Sequence, residues 1–225
     1  MDESYQLGHR KRLRERFLRG GDAAVADYEL LELVLFAAAV RRDVKPLAKL
    51  LLKKFQTLGG VIKASKVELM AIQGVGEAAV ATIKAVEFIL HRVLREEFMH
   101  KPFAGSLPQV LQYCQATMGH LKKEQFRLLF LDRHNCLVAD EVQQQGTIDQ
   151  TPVYPREVLH RALELGASAL ILVHNHPSGD PTPSVADIEI TRRIQDALRP
   201  VNIEVHDHII IARGKHASFR ALNLI

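Results

Sequence analysis

Apolar positions along the chain follow two different rhythms. From Tyr28 to about Glu97 they recur at intervals of three and four, the spacing of one helix face. "DYELLELVLFAAAV" puts Leu30, Leu31, Val34 and Leu35 at core spacing and predicts one helix. "VKPLAKLLLKKF" predicts the next, with Pro46 tolerable in its first turn, and Gly59-Gly60 is expected to stop it. "KVELMAIQGVGEAAVATIKAVEFILHRVL" then predicts a short helix, a glycine turn and a longer helix. No strand pattern occurs in this part.

Residues 99–108, "MHKPFAGSLP", carry two prolines and a glycine, and 99–106 are expected to be a linker. Beyond them the rhythm mixes. A helix is expected near 107–119, then a buried strand in "QFRLLFLD" and a second strand in "CLVADEVQQQGT" that leads to a turn. Pro155 opens a helix that Gly166 can end. "SALILVHN" is a central strand, "SVADIEITRRIQDAL" a helix and "IEVHDHIIIA" a last strand region. The class is α+β: an all-α domain over 1–98 and an α/β domain over 107–225.

Composition adds limits. With 47% hydrophobic and 25% charged residues the chain can build a core in water. No apolar run reaches the ~18–20 residues of a membrane span. "MDESYQLGHRKRLRERF" has no apolar signal core, so the expected location is cytoplasmic. Cys114 and Cys136 lack CxxC spacing and read as reduced thiols. The net charge of +4 lies entirely in residues 1–100, most densely in "HRKRLRERFLR". Such a patch can meet phosphates or form a solvated helix face.

Ile72-Gln73-Gly74-Val75-Gly76 sits between two helical segments. Two glycines permit a tight bend that exposes amides at the next helix start, where an anion is favoured. Gly74 and Gly76, with Lys84 two turns on, are thus candidate contacts to DNA. A compact αα-turn that only packs helices fits the same residues.

"ILVHNHPSGDPTPSVAD" carries the densest chemistry. On a strand, residues two apart share a face, so His174 and His176 project together while Asn175 points away. Prolines stiffen the following loop, Ser184 can cap the next helix, and Asp187 falls in its first turn. Two imidazoles and a carboxylate suit one Zn²⁺ ion and leave a fourth position open, the layout of a catalytic site. A capping box would account for Ser184 and Asp187 but for neither histidine. A second HxH, His206 and His208, lacks the proline loop and a spaced acid; His208 reads as a core residue or a support for the site.

The spacing of His174, His176, Ser184 and Asp187 resembles the JAMM motif of JAB/MPN-domain metalloproteases. "IQGVGEAAV" resembles the helix-hairpin-helix of DNA repair proteins. "ELLELVLF", "GVG", "YPREV", "HNHPSGDPTPS" and "DHIIIA" together resemble the RadC family along nearly the whole chain. That resemblance implies an N-terminal helix-hairpin-helix domain and a C-terminal JAB/MPN domain with a cytidine deaminase-like α/β fold. It implies zinc on His174, His176 and Asp187, an oxyanion role for Ser184, and a glutamate base upstream. Glu124 matches that base best, ahead of Glu141 and Glu157. The implied activity is zinc-dependent hydrolysis of a peptide or isopeptide, with DNA as a possible partner of the first domain. The alternative is a DNA-binding module whose metal is structural.

Overall fold

The structure is a computed structural model that describes residues 3–39, 42–145 and 153–225. The chain forms two compact units, Met1–Leu90 and His91–Ile225. Among the described residues no helix is long and apolar enough to cross a membrane.

The first unit holds helices and no strand among its described residues. They are α1 (Glu3–Gly20), α2 (Asp27–Leu35), α3 (Lys45–Phe55), α4 (Leu58–Lys63), α5 (Lys66–Met70) and most of α6 (Glu77–Met99). Leu31, Leu35, Ala48, Leu51, Val61, Leu69, Val80 and Ile83 form its buried core. Pro46 sits in the first turn of α3, where its missing N–H breaks no helix bond. Ser65 and Glu68 cap α5 reciprocally.

Two sequence expectations shift here. The helix begun at Asp27 ends at Leu35; the amide of Ala38 then reaches the carbonyl of Leu35, a short bond that closes the last turn. Val40, at the end of that stretch, lies outside the described residues. Gly59 and Gly60 do not stop α3. Gln56, at φ 71°, ends it, and both glycines lie inside α4. A Cβ on Gly60 would stand 2.2 Å from the Phe55 carbonyl, so this glycine permits a close backbone approach rather than a break.

From His91 onward the end of α6 leads to α7 (Phe103–Met118), β1 (Gln125–Leu131), β2 (Leu137–Gln145), α8 (Pro155–Glu164), β3 (Ala169–Asn175), α9 (Val185–Leu198), β4 (Glu204–Ala212) and β5 (Lys215–Ser218). The helix expected near 107–119 starts earlier, at Phe103. Pro102 enters it in an extended conformation, and Pro108 lies inside it, one turn beyond the start. The Ser106 hydroxyl donates to the Pro102 carbonyl at 3.0 Å and ties down that first turn. The turn expected at Gly146-Thr147 lies outside the described residues.

The five strands make one sheet in the order β2-β1-β3-β4-β5. β1 is antiparallel to β2 and β3, β4 is parallel to β3, and β5 returns antiparallel on β4. β3 is buried from end to end, as a central strand covered on both faces must be. Its alternation divides the core. Ala169, Ile171 and Val173 join Leu129, Leu131 and residues of α7 on one face. Leu170 and Leu172 join Phe126, Leu128, Val158 of α8 and Ile194 of α9 on the other.

Ile171 is fully buried on the α7 face. Ile171→Ala should leave a cavity and lower stability by about 2–5 kcal/mol, read from the denaturant midpoint. A loss below about 1 kcal/mol would show that this face is not tightly packed.

Candidate metal centre

The parity that puts Leu170 and Leu172 on the α8–α9 face puts His174 there too, buried to 1% exposure at the end of β3. His176 follows just past the strand, and its amide extends the ladder to the Ile211 carbonyl at 2.8 Å. The chain then turns through Gly179, at φ 87°, where a side chain would be strained. Ser184 caps α9: its hydroxyl accepts from the Asp187 amide at 3.2 Å, while the Asp187 carboxylate accepts from the Ser184 amide at 2.7 Å. The capping box therefore exists, and it aims Asp187 at the histidines. A helix N-terminus also favours the negative charge.

His174 Nε2 lies 2.8 Å from His176 Nε2. Asp187 Oδ1 lies 3.2 Å from His174 Nε2, and its Oδ2 lies 3.5 Å from His176 Nε2. Zinc bond lengths of about 2.0–2.1 Å at tetrahedral angles give ligand separations of roughly 3.3 Å. The three donor groups thus match one face of a tetrahedron. Among the described residues this is the cluster of His, Cys, Asp and Glu able to hold a metal ion.

The other ring nitrogens are occupied. His176 Nδ1 meets the Asp180 carbonyl at 2.8 Å and must donate to it, which leaves the Nε2 lone pair facing the cluster. His174 Nδ1 meets Nε2 of buried His208 at 2.8 Å. Burial alone would raise the Asp187 pKa; the two neighbouring imidazoles and the Ser184 hydroxyl outweigh it and hold the carboxyl well below its ordinary range. The same carboxylate raises the His176 pKa against the opposing effect of burial, and the Asp180 carbonyl and Glu124 push it the same way. Burial, then the proximity of His174, lowers the His208 pKa well below its ordinary value and favours the neutral ring.

Glu124 stands half-buried immediately before β1. The β1–β3 register pairs Phe126 with His174, and continued by two places it sets Glu124 opposite His176. The Phe126 ring stacks on His174 with centroids 6.0 Å apart. Asn175, 1% exposed and facing away from the His174–His176–Asp187 cluster, grips the segment around Glu124. Its side-chain carbonyl accepts from the Gln125 amide at 2.9 Å, and its amide donates to the Lys123 carbonyl at 3.1 Å. Glu141 and Glu157 instead line a separate hollow beside α8, where Glu141 pairs with Arg161 at 2.6 Å.

The remaining sequence candidates fall as follows. The Ser184 hydroxyl donates to Asp187 Oδ2 at 2.7 Å. His206 turns to Asn135 Oδ1, 2.6 Å away, whereas His208 backs His174. Gly74, Gly76 and Lys84 belong to the first unit. Gly74 adopts φ 92° in the turn, Gly76 precedes α6, and Lys84 Nζ pairs with Glu87 at 2.6 Å and donates to the Ile62 carbonyl at 3.2 Å. Thr191 went unread in the sequence although it lies one helical turn after Asp187. Asn175 was read only as pointing away, and its partners come from a strand fifty residues earlier.

Comparison with known proteins covers both units. Residues 105–224 match the RadC-like JAB domain, and residues 5–81 match the UPF0758 N-terminal domain. A UPF0758 protein of Ruegeria pomeroyi is 54% identical over 218 residues, 97% of this chain and 97% of its own length. A UPF0758 protein of Rhodobacter capsulatus is 54% identical over 213 residues, 95% of this chain and 100% of its own.

Asn175→Ala should speed amide hydrogen exchange at Gln125 by roughly two- to twelvefold, the factor for a hydrogen bond worth about 0.5–1.5 kcal/mol. Residue-resolved NMR checks this. An unchanged rate would mean that Asn175 does not hold the segment around Glu124.

Proposed function

The chain belongs to the RadC-like JAB domain family, and from that premise we propose that it is a zinc-dependent hydrolase of peptide or isopeptide amide bonds. One observation carries the reading: lone-pair-bearing atoms of His174, His176 and Asp187 converge within 2.8 to 3.5 Å, with Glu124 on the same side. Such a convergence is repulsive unless a proton or a metal cation is shared within it. The donor set, two imidazoles and one carboxylate, suits zinc and leaves a position for a reactant.

Bound there, the ion supplies Lewis acidity, polarising a carbonyl and making water a competent nucleophile near neutral pH. Glu124 takes the proton from the attacking water and returns it to the departing amine. Asn175 holds the backbone on both sides of Glu124, so the carboxylate is in place before substrate arrives. Asp187 would ligate the ion, and Ser184 and the α9 N-terminus keep its carboxylate ionised. For Ser184 to stabilise an oxyanion, its hydroxyl must rotate away from Asp187 Oδ2.

A DNA-binding role for the first unit has support in its basic excess and in the glycine turn. Lys84 weighs against it, because Glu87 already balances its charge. The metal geometry therefore favours hydrolysis as the main reading.

Purified protein should contain close to one zinc per chain by elemental analysis. Glu124→Gln should keep the zinc and lose about 10²–10⁴-fold in cleavage of a broad peptide and isopeptide library. His176→Ala should lose both zinc and cleavage. Undiminished cleavage by either variant would overturn this mechanism.

A further inference from the structure

Behind His174 lies a chain of hydrogen bonds that hydrolysis alone does not use. Thr191, 1% exposed, and His208, fully buried, both sit on the α8–α9 side of the sheet. Thr191 Oγ1 donates to the Asp187 main-chain carbonyl at 2.5 Å. A hydroxyl has a single proton, so toward His208 Nδ1, 2.6 Å away, it must accept. His208 Nδ1 therefore carries the ring's proton, because a neutral imidazole has only one. Its Nε2 is then an acceptor, and it faces His174 Nδ1 at 2.8 Å. His174 must donate from Nδ1. Its lone pair is left on Nε2, the atom that lies 3.2 Å from Asp187 Oδ1 and 2.8 Å from His176 Nε2.

Each direction in this chain follows from the one before it, and the first is set by Asp187 itself. We propose that Thr191 and His208 are positioning residues that lock His174 in its Nδ1–H tautomer, so that the lone pair required by zinc is present before the metal arrives. This rests on the reading of the cluster as a metal centre. The arrangement differs from that of His176, whose tautomer is set by the carbonyl of Asp180 in the adjoining loop. The two ligands are thus oriented by separate means, one fixed in the core and one held by a loop. Partners behind a metal-bound histidine are typically worth 10–100-fold in affinity.

The test uses the full chain, with zinc alone as the probe. In metal-free wild type, ¹⁵N NMR should show His174 protonated at Nδ1. Thr191→Val, nearly equal in shape, should raise the Nε2–H population and weaken zinc binding about 10–100-fold in a chelator competition. Thr191→Ser, which restores the hydroxyl, should return affinity to within about threefold of wild type. His208→Gln keeps an acceptor and should lose less than His208→Leu. Thermal unfolding identifies any variant that fails to fold, and the wild-type tautomer decides the matter even then. A dominant Nε2–H form in wild type, or equal zinc affinity in wild type and folded Thr191→Val, would overturn the relay alone. Absence of zinc uptake by wild type would overturn the metal reading, and the relay's purpose with it.

Discussion

Asp187 meets four demands at once, two with its carboxylate and two with its main chain, and the arrangement of the cluster depends on their agreement. Its oxygens accept from Ser184 and face both imidazoles, its amide completes the cap of α9, and its carbonyl anchors Thr191. A carboxylate 2% exposed would ordinarily be driven toward neutrality. Here the surrounding donors keep it ionised, and the resulting negative charge faces two ring nitrogens whose outer atoms are already engaged. Removing any one contact would leave a buried polar group unmatched, which costs more than the bond contributes when made.

What assembles these groups is strand register. β3 contributes His174 by its alternation, β4 lies parallel to it and sets His208 opposite Leu172, and antiparallel β1 carries Phe126 to His174. A slip of one residue in any pairing would turn that strand's contribution to the opposite face. The apolar packing of Leu128, Leu170 and Leu172 against α8 and α9 makes such a slip expensive, since it would expose the buried set. The hydrophobic core therefore holds the polar site in alignment, and Phe126, one of its members, stacks directly on His174.

This division explains what could be read in the sequence. His174, His176, Ser184 and Asp187 were legible because one strand end, one stiff loop and one helix start connect them, and each has a local signature. The change from helical to mixed rhythm was legible for the same reason. Glu124 came only from family resemblance: its place opposite His176 depends on pairing between segments fifty residues apart. Thr191 was hidden in an ordinary amphipathic helix, and its partner His208 lay in an apolar run whose pattern left core and site support equally open. Gly59 and Gly60 misled because a glycine pair usually signals a break, whereas Gly60 here makes room for the Phe55 carbonyl. The start of α7 misled as well, since the helix begins at Phe103, five residues before Pro108, which lies inside it.

The segment carrying Glu124 is held through its neighbours, although Glu124 itself is only half-buried. Regular pairing of β1 with β3 ends at Phe126, and Asn175 continues it with side-chain rather than main-chain bonds. Next to it, Gln125 Oε1 accepts from Arg127, whose guanidinium is held by Asp140 at 2.8 Å and by the Tyr113 hydroxyl. These groups lie on the α7 face, opposite His174, His176 and Asp187, so they add order without placing another charge beside the cluster. Burial and the Asp140 charge also raise the Tyr113 pKa, keeping the phenol protonated as a donor to Asp140. Glu124 is consequently anchored through its neighbours while its own carboxylate stays unencumbered by those bonds. The proposed role of proton carrier calls for that combination, a held backbone and a side chain free to exchange hydrogen-bond partners.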